Sequence, residues 1–247
     1  RRFQFRYNRG DNHGIRKKEC ALRMLIVTAV EAEKEAVLRG LRQQNGGTAG
    51  GRIDVVAAGV GPAAAAAETA LAMAAAAEAG APYGLAVSAG IGGGFAGQAD
   101  IGDLVVAAEM VAADLGAETP EGFLGVDELG FGTARIPADE CWSERLAAGL
   151  LAAGLPVRRG NVLTVSTATG TAETAARLAA RFPGAAAEAM EGFGVATAAR
   201  RFGVPALEIR AISNRVGPRD RSAWRIGEAL DRLAAAGAVL ASLVEPE

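Results

Sequence analysis

Polar side chains that could do chemistry lie within or directly after apolar segments of this sequence. Glu33 follows the run LIVTAV, and Glu191 follows AEAM. Arg210 interrupts the run LEIRAIS, which is followed directly by Asn214. The ends of strands, where they lead into loops, are where α/β proteins place ligand-contacting side chains. An unpaired buried charge is very costly, so Arg210 is expected to have a carboxylate partner.

Each of these residues also has a purely structural explanation. Glu31, Glu33 and Glu35 stand where acidic groups complement the dipole of a first helical turn. Glu191 could have the same role, and Met190 before it could simply fill the core. The pairing of Arg210 with a carboxylate could also be structural. Taken one by one, these residues therefore leave both interpretations open.

The use of histidine and cysteine excludes several kinds of chemistry. The single histidine is His13, in an N-terminal segment that we do not expect to belong to the fold. Ser-His-Asp and Cys-His catalysis, histidine metal sites and histidine proton shuttles are therefore not expected. Cys20 and Cys141 are far apart and form no CxxC pattern, which predicts a reduced cytoplasmic protein without structural zinc. Acid-base chemistry must come from carboxylates, amides, arginines or water, with no metal and no organic cofactor.

Composition limits the possible partners. The formal net charge is -2 and only 5% of the residues are aromatic, so a nucleic-acid partner is not expected. No apolar run reaches the roughly 18 residues that a membrane span needs, so no membrane partner is expected either.

Residues 1–23 differ from the rest of the chain. They carry eight Lys and Arg against Asp11 and Glu19, a balance of about +6 (8 − 2). The segment lacks the apolar core of a secretory signal. We expect a disordered or non-native extension, with a single domain covering residues 24–247.

From Met24 onward, short apolar runs alternate with helical patterns. This alternation predicts one α/β domain with three layers, α/β/α, around a central mixed and twisted sheet. Residues 115–140 are predicted to be loop. The predicted strands are 25–30, 53–60, 83–91, 103–114, 161–167 and 206–213. The predicted helices start near Glu31 and Pro62, cover 143–153, end at Ala180, and cover 191–202 and 222–243.

The segment GGGFAG (92–97) matches the GxGxxG pattern of dinucleotide sites and follows a predicted strand. In those sites a helix opens directly on the glycines. Here QADIGDLVV follows, which predicts a turn and another strand, so a dinucleotide cofactor is not expected. The glycines at 90–94 still allow the backbone to approach a ligand or another strand closely.

Together, these segments resemble the nucleoside phosphorylase/hydrolase family, and most closely its nucleosidases. The resemblance covers about nine-tenths of the chain. It is carried by Glu33 after the first strand, GVGPAAAAA (59–67), SAGIGGGF (88–95), GDLVVA (102–107), AMEGFGVA (189–196) and RAISN (210–214).

Two departures from the family pattern narrow the expected activity. Phosphorylases of this family hold phosphate partly through an arginine upstream of the Gly-rich turn, whereas GLAVSAGIG is uncharged here. A phosphate dianion would then lack cations, which favours water as the nucleophile. Asn214 stands where adenine-specific nucleosidases have Asp. Its amide can donate to O6 and accept from N7–H of a 6-oxopurine.

A nucleosidase of this family that acts on a hypoxanthine nucleoside resembles the futalosine hydrolases of menaquinone biosynthesis. The segments VSTATGTAE (165–173) and SNRVGPRDRSAW (213–224) are similar to theirs. This resemblance implies release of hypoxanthine and dehypoxanthine futalosine from futalosine. It also implies a homodimer or a higher homo-oligomer.

The resemblance also implies roles for individual residues. Glu33, with Arg210 near it, would orient and deprotonate the water. The ribose, the base and the 5′ carboxylate each have their own candidates. Met190 and Glu191 would bind the ribose hydroxyls. Ser213 and Asn214 would bind the departing base, and Thr169 and Gly170 would line its other edge. The substrate would also contact Gly90, Ile91 and Gly92, and its carboxylate would pair with Arg219 or Arg221.

Three alternatives remain open. A methylthioadenosine/adenosylhomocysteine nucleosidase is of the same class, and Asn214 argues against it. A purine nucleoside-binding protein without turnover would not need the carboxylate of Glu33. A dinucleotide-dependent oxidoreductase has the weakest support.

Overall fold

The computed structural model describes residues 22–44 and 52–244. These residues form ten strands, six α-helices and one short 3-10 helix. The strands are β1 (Met24–Thr28), β2 (Ile53–Ala57), β3 (Leu85–Gly94), β4 (Leu104–Ala112), β5 (Gly116–Thr119), β6 (Gly122–Gly125), β7 (Arg135–Pro137), β8 (Val157–Thr164), β9 (Ala185–Ala189) and β10 (Ala206–Arg215). The helices are α1 (Glu31–Gln44), α2 (Pro62–Glu78), α3 (Glu140–Ala152), α4 (Ala172–Arg181), α5 (Gly192–Arg201) and α6 (Ile226–Ser242), and the 3-10 helix covers Arg221–Ala223.

Eight strands form one mixed sheet in the order β10-β4-β8-β9-β3-β1-β2, with β7 paired to β4. Strand β3 also pairs with β10, so the sheet curls back on itself. Strands β5 and β6 form a separate two-stranded hairpin. The predicted α/β fold with one central mixed sheet is confirmed.

Alternate side chains of the sheet enter two cores. In β1, Met24 and Ile26 pack under α1, α3 and α6, whereas Leu25 and Val27 pack under α2 and α5. A strand sends successive side chains to opposite faces, so these helices cover both faces of the sheet. A third cluster joins α4 to the far end of β3 through Phe95.

Two parts of the predicted element pattern are wrong. Residues 115–140 are not simply loop, because they contain β5, β6 and β7 and the first residue of α3. Strand β9, with the sequence AAAEA, was not predicted either. Alanine favours helices, but here the segment is buried and pairs with β8 and β3, so tertiary context decides its conformation.

Most of the basic N-terminal segment, residues 1–21, lies outside the described residues, and the domain boundary at Met24 stays a prediction. Its last two residues contact the fold. Leu22 packs against the core below α1 and α6. Arg23 pairs with Asp54, donates to the carbonyl of Ala81 and lies over the ring of Tyr83.

Within the described ranges, no helix is both long and apolar enough to cross a membrane.

Candidate active site

Strand β3 creates the space for the site by changing partners along its length. Its first half pairs with β1, and the last pair is Val27 with Ser88. Its second half continues beside β10 and finally pairs with β9 at Gly93 and Gly94. The backbone of β3 beyond Ser88 therefore has no β1 neighbour, and a side chain from another element can bond to it.

Glu33 occupies this gap. It lies in the first turn of α1 and is only 4% exposed. Its Oε2 accepts hydrogen bonds from the N–H groups of Ala29 and Val30, at 2.9 and 3.3 Å. Its Oε1 accepts from the N–H of Ile91 at 2.9 Å. The carboxylate therefore links the end of β1 to β3, and Oε1 keeps one lone pair for a further donor.

Gly90 is the residue beside which Glu33 and Arg210 converge. A Cβ atom at this position would lie 2.6 Å from both Glu33 Oε1 and Arg210 Nη1. Real Cβ atoms do not approach other atoms so closely, so only glycine fits. The absence of a side chain at Gly90 lets a carboxylate from α1 and a guanidinium from β10 approach each other.

Arg210 is buried, at 1% exposure, and all three of its nitrogens have partners. Nε donates to Glu208 Oε1 at 2.8 Å, and Nη2 donates to Ser88 Oγ at 2.8 Å. Nη1 lies 3.1 Å from Glu191 Oε2. The guanidinium is therefore fixed edge by edge, and its ion pairs are to Glu191 and Glu208.

Glu191 joins this cluster from the residue that precedes α5. Its carboxylate is buried, and Oε1 accepts from the N–H of Gly61 at 3.2 Å. Oε2 accepts from the N–H of Met190 at 3.3 Å and pairs with Arg210. Its neighbour Met190 is half-buried. Glu191 thus connects the glycine turn before α2 to the sheet.

Opposing effects set the protonation of the buried pair on β10. Burial raises the pKa of Glu208 to about 7, although Arg210 lowers it in part. Burial also lowers the pKa of Arg210, but the attraction of Glu208, Glu191 and Glu33 outweighs this and raises it overall. Arg210 is therefore a permanent cation, whereas Glu208 can change charge near neutral pH.

The end of β10 carries Ser213 and Asn214 beside the glycines of β3. Ser213 Oγ donates to Asn214 Oδ1 at 2.8 Å. The Asn214 amide donates to the carbonyl of Arg215 at 2.9 Å. A Cβ atom at Gly93 would lie 3.2 Å from Asn214 Nδ2. Asn214 is half-buried and keeps one N–H and one carbonyl lone pair for a ligand.

The Thr169–Gly170 segment is anchored by Glu188, a residue that we did not predict. Thr169 donates to Glu188 through its backbone N–H at 2.8 Å and through its hydroxyl at 2.5 Å. Burial raises the pKa of Glu188, and the bonds from Thr169 lower it in part. The hydroxyl of Thr169 is therefore engaged, and Gly170 is the exposed residue of the pair.

Arg219 and Arg221 lie in the loop after β10, and both are exposed. Their guanidinium carbons lie 5.3 and 5.9 Å from the ring centre of Trp224. The backbone N–H of Arg219 donates to the carbonyl of Gly170 at 3.3 Å. This places the arginine loop next to the Thr169–Gly170 segment, with both cationic heads at the surface.

Among the described residues, no group of three or more His, Cys, Asp or Glu side chains is arranged to hold a metal ion. The buried carboxylates gather around a guanidinium instead. This arrangement can orient water and bind hydroxyl groups by hydrogen bonding.

The similarity of this chain to known proteins agrees with the geometry. The family model of the phosphorylase superfamily matches residues 21–246. A futalosine hydrolase of Streptomyces coelicolor is 54% identical over 234 residues, which is 91% of this chain and 97% of the relative. The chain belongs to the phosphorylase superfamily, in its futalosine hydrolase family.

Solved structures share the fold of this futalosine hydrolase family member at low sequence identity. The futalosine hydrolase of Helicobacter pylori is 20% identical with a TM-score of 0.73, and the match covers 92% of this chain and 99% of that one. The 5′-methylthioadenosine/S-adenosylhomocysteine nucleosidase of Neisseria meningitidis is 21% identical with a TM-score of 0.72, and that match covers 89% and 99%.

Most of the predicted site residues of this superfamily member lie together. Glu33, Gly90, Glu191 and Arg210 form one buried cluster, with the partly buried Ile91 and Gly92 and with Ser213 in contact at its edge. The structure adds Ser88, Glu188 and Glu208. Glu208 could have been found from the sequence, because it stands two residues before Arg210 and side chains at that spacing share a face of a strand.

Proposed function

We propose that this chain hydrolyses the N-glycosidic bond of futalosine, releasing hypoxanthine and dehypoxanthine futalosine in menaquinone biosynthesis. The relative that is 54% identical is a futalosine hydrolase. As the bond breaks, the ribose becomes oxocarbenium-like and the purine gains negative charge. The enzyme must therefore supply a nucleophile, hold the sugar and stabilise the departing base.

One observation carries the choice of water over phosphate. The buried cluster contains the carboxylates of Glu33, Glu191 and Glu208 against a single cation, Arg210, which already pairs with two of them. A phosphate dianion placed here would be repelled and would find no free cation among the described residues of the cluster. A neutral water molecule has no such cost, and it can donate a proton to Glu33.

The contacts support a proposed role for each residue. Glu33, held by three backbone N–H groups, orients and deprotonates the water. Glu191, together with Met190, accepts hydrogen bonds from the ribose hydroxyls. Asn214, steadied by Ser213, donates to O6 and accepts from N7–H of the leaving hypoxanthine.

Recognition of the far end of the substrate falls to the loop after β10. Futalosine carries a carboxyphenyl group on its 5′ side, and a carboxylate needs a cation. Arg219 and Arg221 are exposed and flank Trp224, whose ring can pack on a phenyl group. The contact between Arg219 and Gly170 connects this loop to the base-binding side.

We also propose that the chain acts in the cytoplasm as a homodimer or higher homo-oligomer. Helix α2 begins directly after Gly61, whose N–H donates to Glu191. It presents a stripe of exposed apolar residues at a spacing of four. The stripe consists of Ala63, Ala67, Leu71 and Ala75. Leu71 is 66% exposed, and a second copy of the chain packed on this stripe would bury its side chain. Light scattering that gave a monomer mass at micromolar concentration would contradict this.

The test of the function is product analysis after incubation with futalosine. Chromatography should show equimolar hypoxanthine and dehypoxanthine futalosine, at a rate that is unchanged when phosphate is removed. A rate that rises steeply with phosphate, with accumulation of a sugar phosphate, would mean a phosphorylase. Methylthioadenosine and adenosylhomocysteine should release adenine far more slowly, and the reverse preference would favour the rival nucleosidase activity.

A further inference from the structure

Glu208 is a fully buried carboxylate that the roles above do not use. It lies on β10 and is 0% exposed. Its Oε1 accepts from Arg210 Nε at 2.8 Å, and its Oε2 has no hydrogen-bond partner among the described residues. A buried carboxylate oxygen without a donor is costly. Arg210 already has an ion pair with Glu191, so the presence of a second buried carboxylate here, with one oxygen unpaired, calls for a function.

The elements around Glu208 isolate it with Arg210. Helix α5 begins against it at Gly192, where a Cβ atom would collide with the Glu208 carboxylate. Helix α6 packs on the opposite face of β10, and the buried side chains of β4 that pair with β10 are apolar. The charged groups that face it are Arg210 on its own strand and Glu191 before α5. Strand β3 contributes the hydroxyl of Ser88, which accepts from Arg210, and Glu33 of α1 attracts Arg210 electrostatically.

Arg210 is therefore shared between two carboxylates that pair with different nitrogens of its guanidinium. Glu208 holds Nε at 2.8 Å, and Glu191 holds Nη1 at 3.1 Å. In a water-poor environment, each carboxylate weakens the hold of the arginine on the other. The more charge Glu208 carries, the more acceptor strength Glu191 keeps for a hydroxyl group.

We infer that Glu208 is a positioning residue that fixes Arg210 and, through its own charge, sets how strongly Glu191 binds the ribose hydroxyls. This inference rests on the proposed function. Ionised Glu208 corresponds to the active state and neutral Glu208 to a state in which Arg210 is drawn towards Glu191. Because burial raises the pKa of Glu208 to about 7, the change between the two states falls near neutral pH.

The experiment compares wild type with E208Q, E208D and E109Q by measuring kcat/KM for futalosine from pH 5.5 to 9. Gln keeps the acceptor for Arg210 Nε but cannot ionise, and Asp keeps the charge. Glu109 serves as the control, because it is a partly exposed carboxylate of β4 that pairs with Arg135 of β7 at 2.9 Å.

Wild type and E109Q should both gain kcat/KM as pH rises through about 7. E208Q should match wild type at pH 5.5 and be about tenfold lower at pH 8, through a raised KM, which is a size of effect expected for coupled groups in one network. E208D should keep the rise with pH. A purely structural role would instead lower E208Q by one factor at every pH.

Parallel profiles for E208Q and wild type, or a flat profile for E208D, would overturn the inference. Infrared spectra of the ligand-free proteins give a readout without turnover. A protonated carboxyl band that titrates near neutral pH should be present in wild type and absent from E208Q, and its absence from wild type would also overturn the inference. Failure of wild type to release hypoxanthine at any pH would instead refute the proposed function.

Discussion

At the scale of single residues, Glu33 is either the base that activates water or a structural carboxylate of the first turn of α1. These two interpretations predict very different effects of substitution on kcat. Three backbone N–H groups hold its carboxylate, and Gln can keep only part of that geometry while losing the base. We predict that E33Q lowers kcat by about 10²–10⁴-fold, the usual contribution of a general base, while substrate still binds.

The neighbouring Glu31 provides the control for this measurement. It lies in the same first turn of α1, pairs with Lys34 at the surface, and should tolerate E31Q with kcat within about twofold of wild type. If E33Q kept most of its kcat as well, Glu33 would be a helix-terminus carboxylate and no more.

Asn214 is predicted to select the base. In N214D an ionised carboxylate would face O6 of hypoxanthine with a second acceptor, which costs roughly 1–3 kcal/mol. A protonated Asp could instead donate to N7 and accept from the amino group of adenine. The ratio of kcat/KM for futalosine to that for its 6-amino analogue should therefore fall at least tenfold. An unchanged ratio would show that Asn214 does not contact the base edge.

The pKa of Glu208 also predicts how stability depends on pH. Its folded-state pKa, about 7, lies above its ordinary value of 4.5, so the folded protein binds the proton more tightly than the unfolded chain. This group therefore stabilises the fold below about pH 4.5, and the contribution is lost as pH rises through 7.

E208Q removes this dependence because Gln resembles the protonated acid. The difference in free energy of unfolding, E208Q minus wild type, should grow between pH 5 and pH 8 and reach at most a few kcal/mol, with a parallel rise in the difference in melting temperature. Calorimetry at both pH values measures it. A difference that shrank with rising pH would mean that the ionised form is the one that folding favours.

At the scale of elements, the approach of α5 to β10 depends on a glycine. Gly192 is the first residue of α5, and a Cβ atom there would meet the Glu208 carboxylate. We predict that G192A pushes α5 away from β10, destabilises the protein by about 1–3 kcal/mol and raises KM for futalosine. Urea unfolding and steady-state kinetics measure the two effects.

Gly227 is the matched control for this substitution. It also lies in the first turn of a helix, α6, and an added Cβ would meet no atom within 4 Å. G227A should be neutral or stabilising by up to about 1 kcal/mol, because Ala favours helices over Gly. If both variants behaved alike, the close packing of α5 on Glu208 would not matter.

At the scale of the whole molecule, Leu22 and Arg23 attach the N-terminal segment to the sheet. Arg23 lies over Tyr83 at 4.6 Å and pairs with Asp54. Burial raises the pKa of Tyr83 to about 12, with a further contribution from Asp54, so the phenol stays a hydrogen-bond donor to that carboxylate. The three side chains form one network between the N-terminal segment, β2 and the start of β3.

This network predicts where the chain can be shortened. A protein that starts at Leu22 should match the full chain in activity and melting temperature. A protein that starts at Met24 should keep its activity but melt about 2–6 °C lower, since it loses a network worth about 1–2 kcal/mol. Equal melting temperatures for both would show that Leu22 and Arg23 contribute nothing, and a loss in the first would show that residues 1–21 are needed.

Local patterns in the sequence were enough to predict the α/β class and to single out most residues of the candidate cluster. Glu33, Glu191 and Arg210 each interrupt or follow an apolar run, and that signal needs no partner to be visible. Strand β9 was missed because AAAEA is as compatible with a helix as with a strand, and only its position between β8 and β3 makes it a strand. The strands β5, β6 and β7 have three or four residues each, which is too short for an alternation of apolar residues to be visible.

By itself, the sequence determined that Arg210 had to be buried with a carboxylate, because a charge within LEIRAIS cannot remain unpaired. It did not determine which carboxylate. The tertiary structure decided that Glu208 and Glu191 share the guanidinium and that Glu33 stands beside it without an ion pair. The physical reason is that β3 leaves β1 after Ser88 and turns towards β9, while glycines at 90 and 192 remove the side chains that would keep three elements apart. Apart from the pair of Glu208 with Arg210, these contacts join residues that are distant in the chain, and no local period records them.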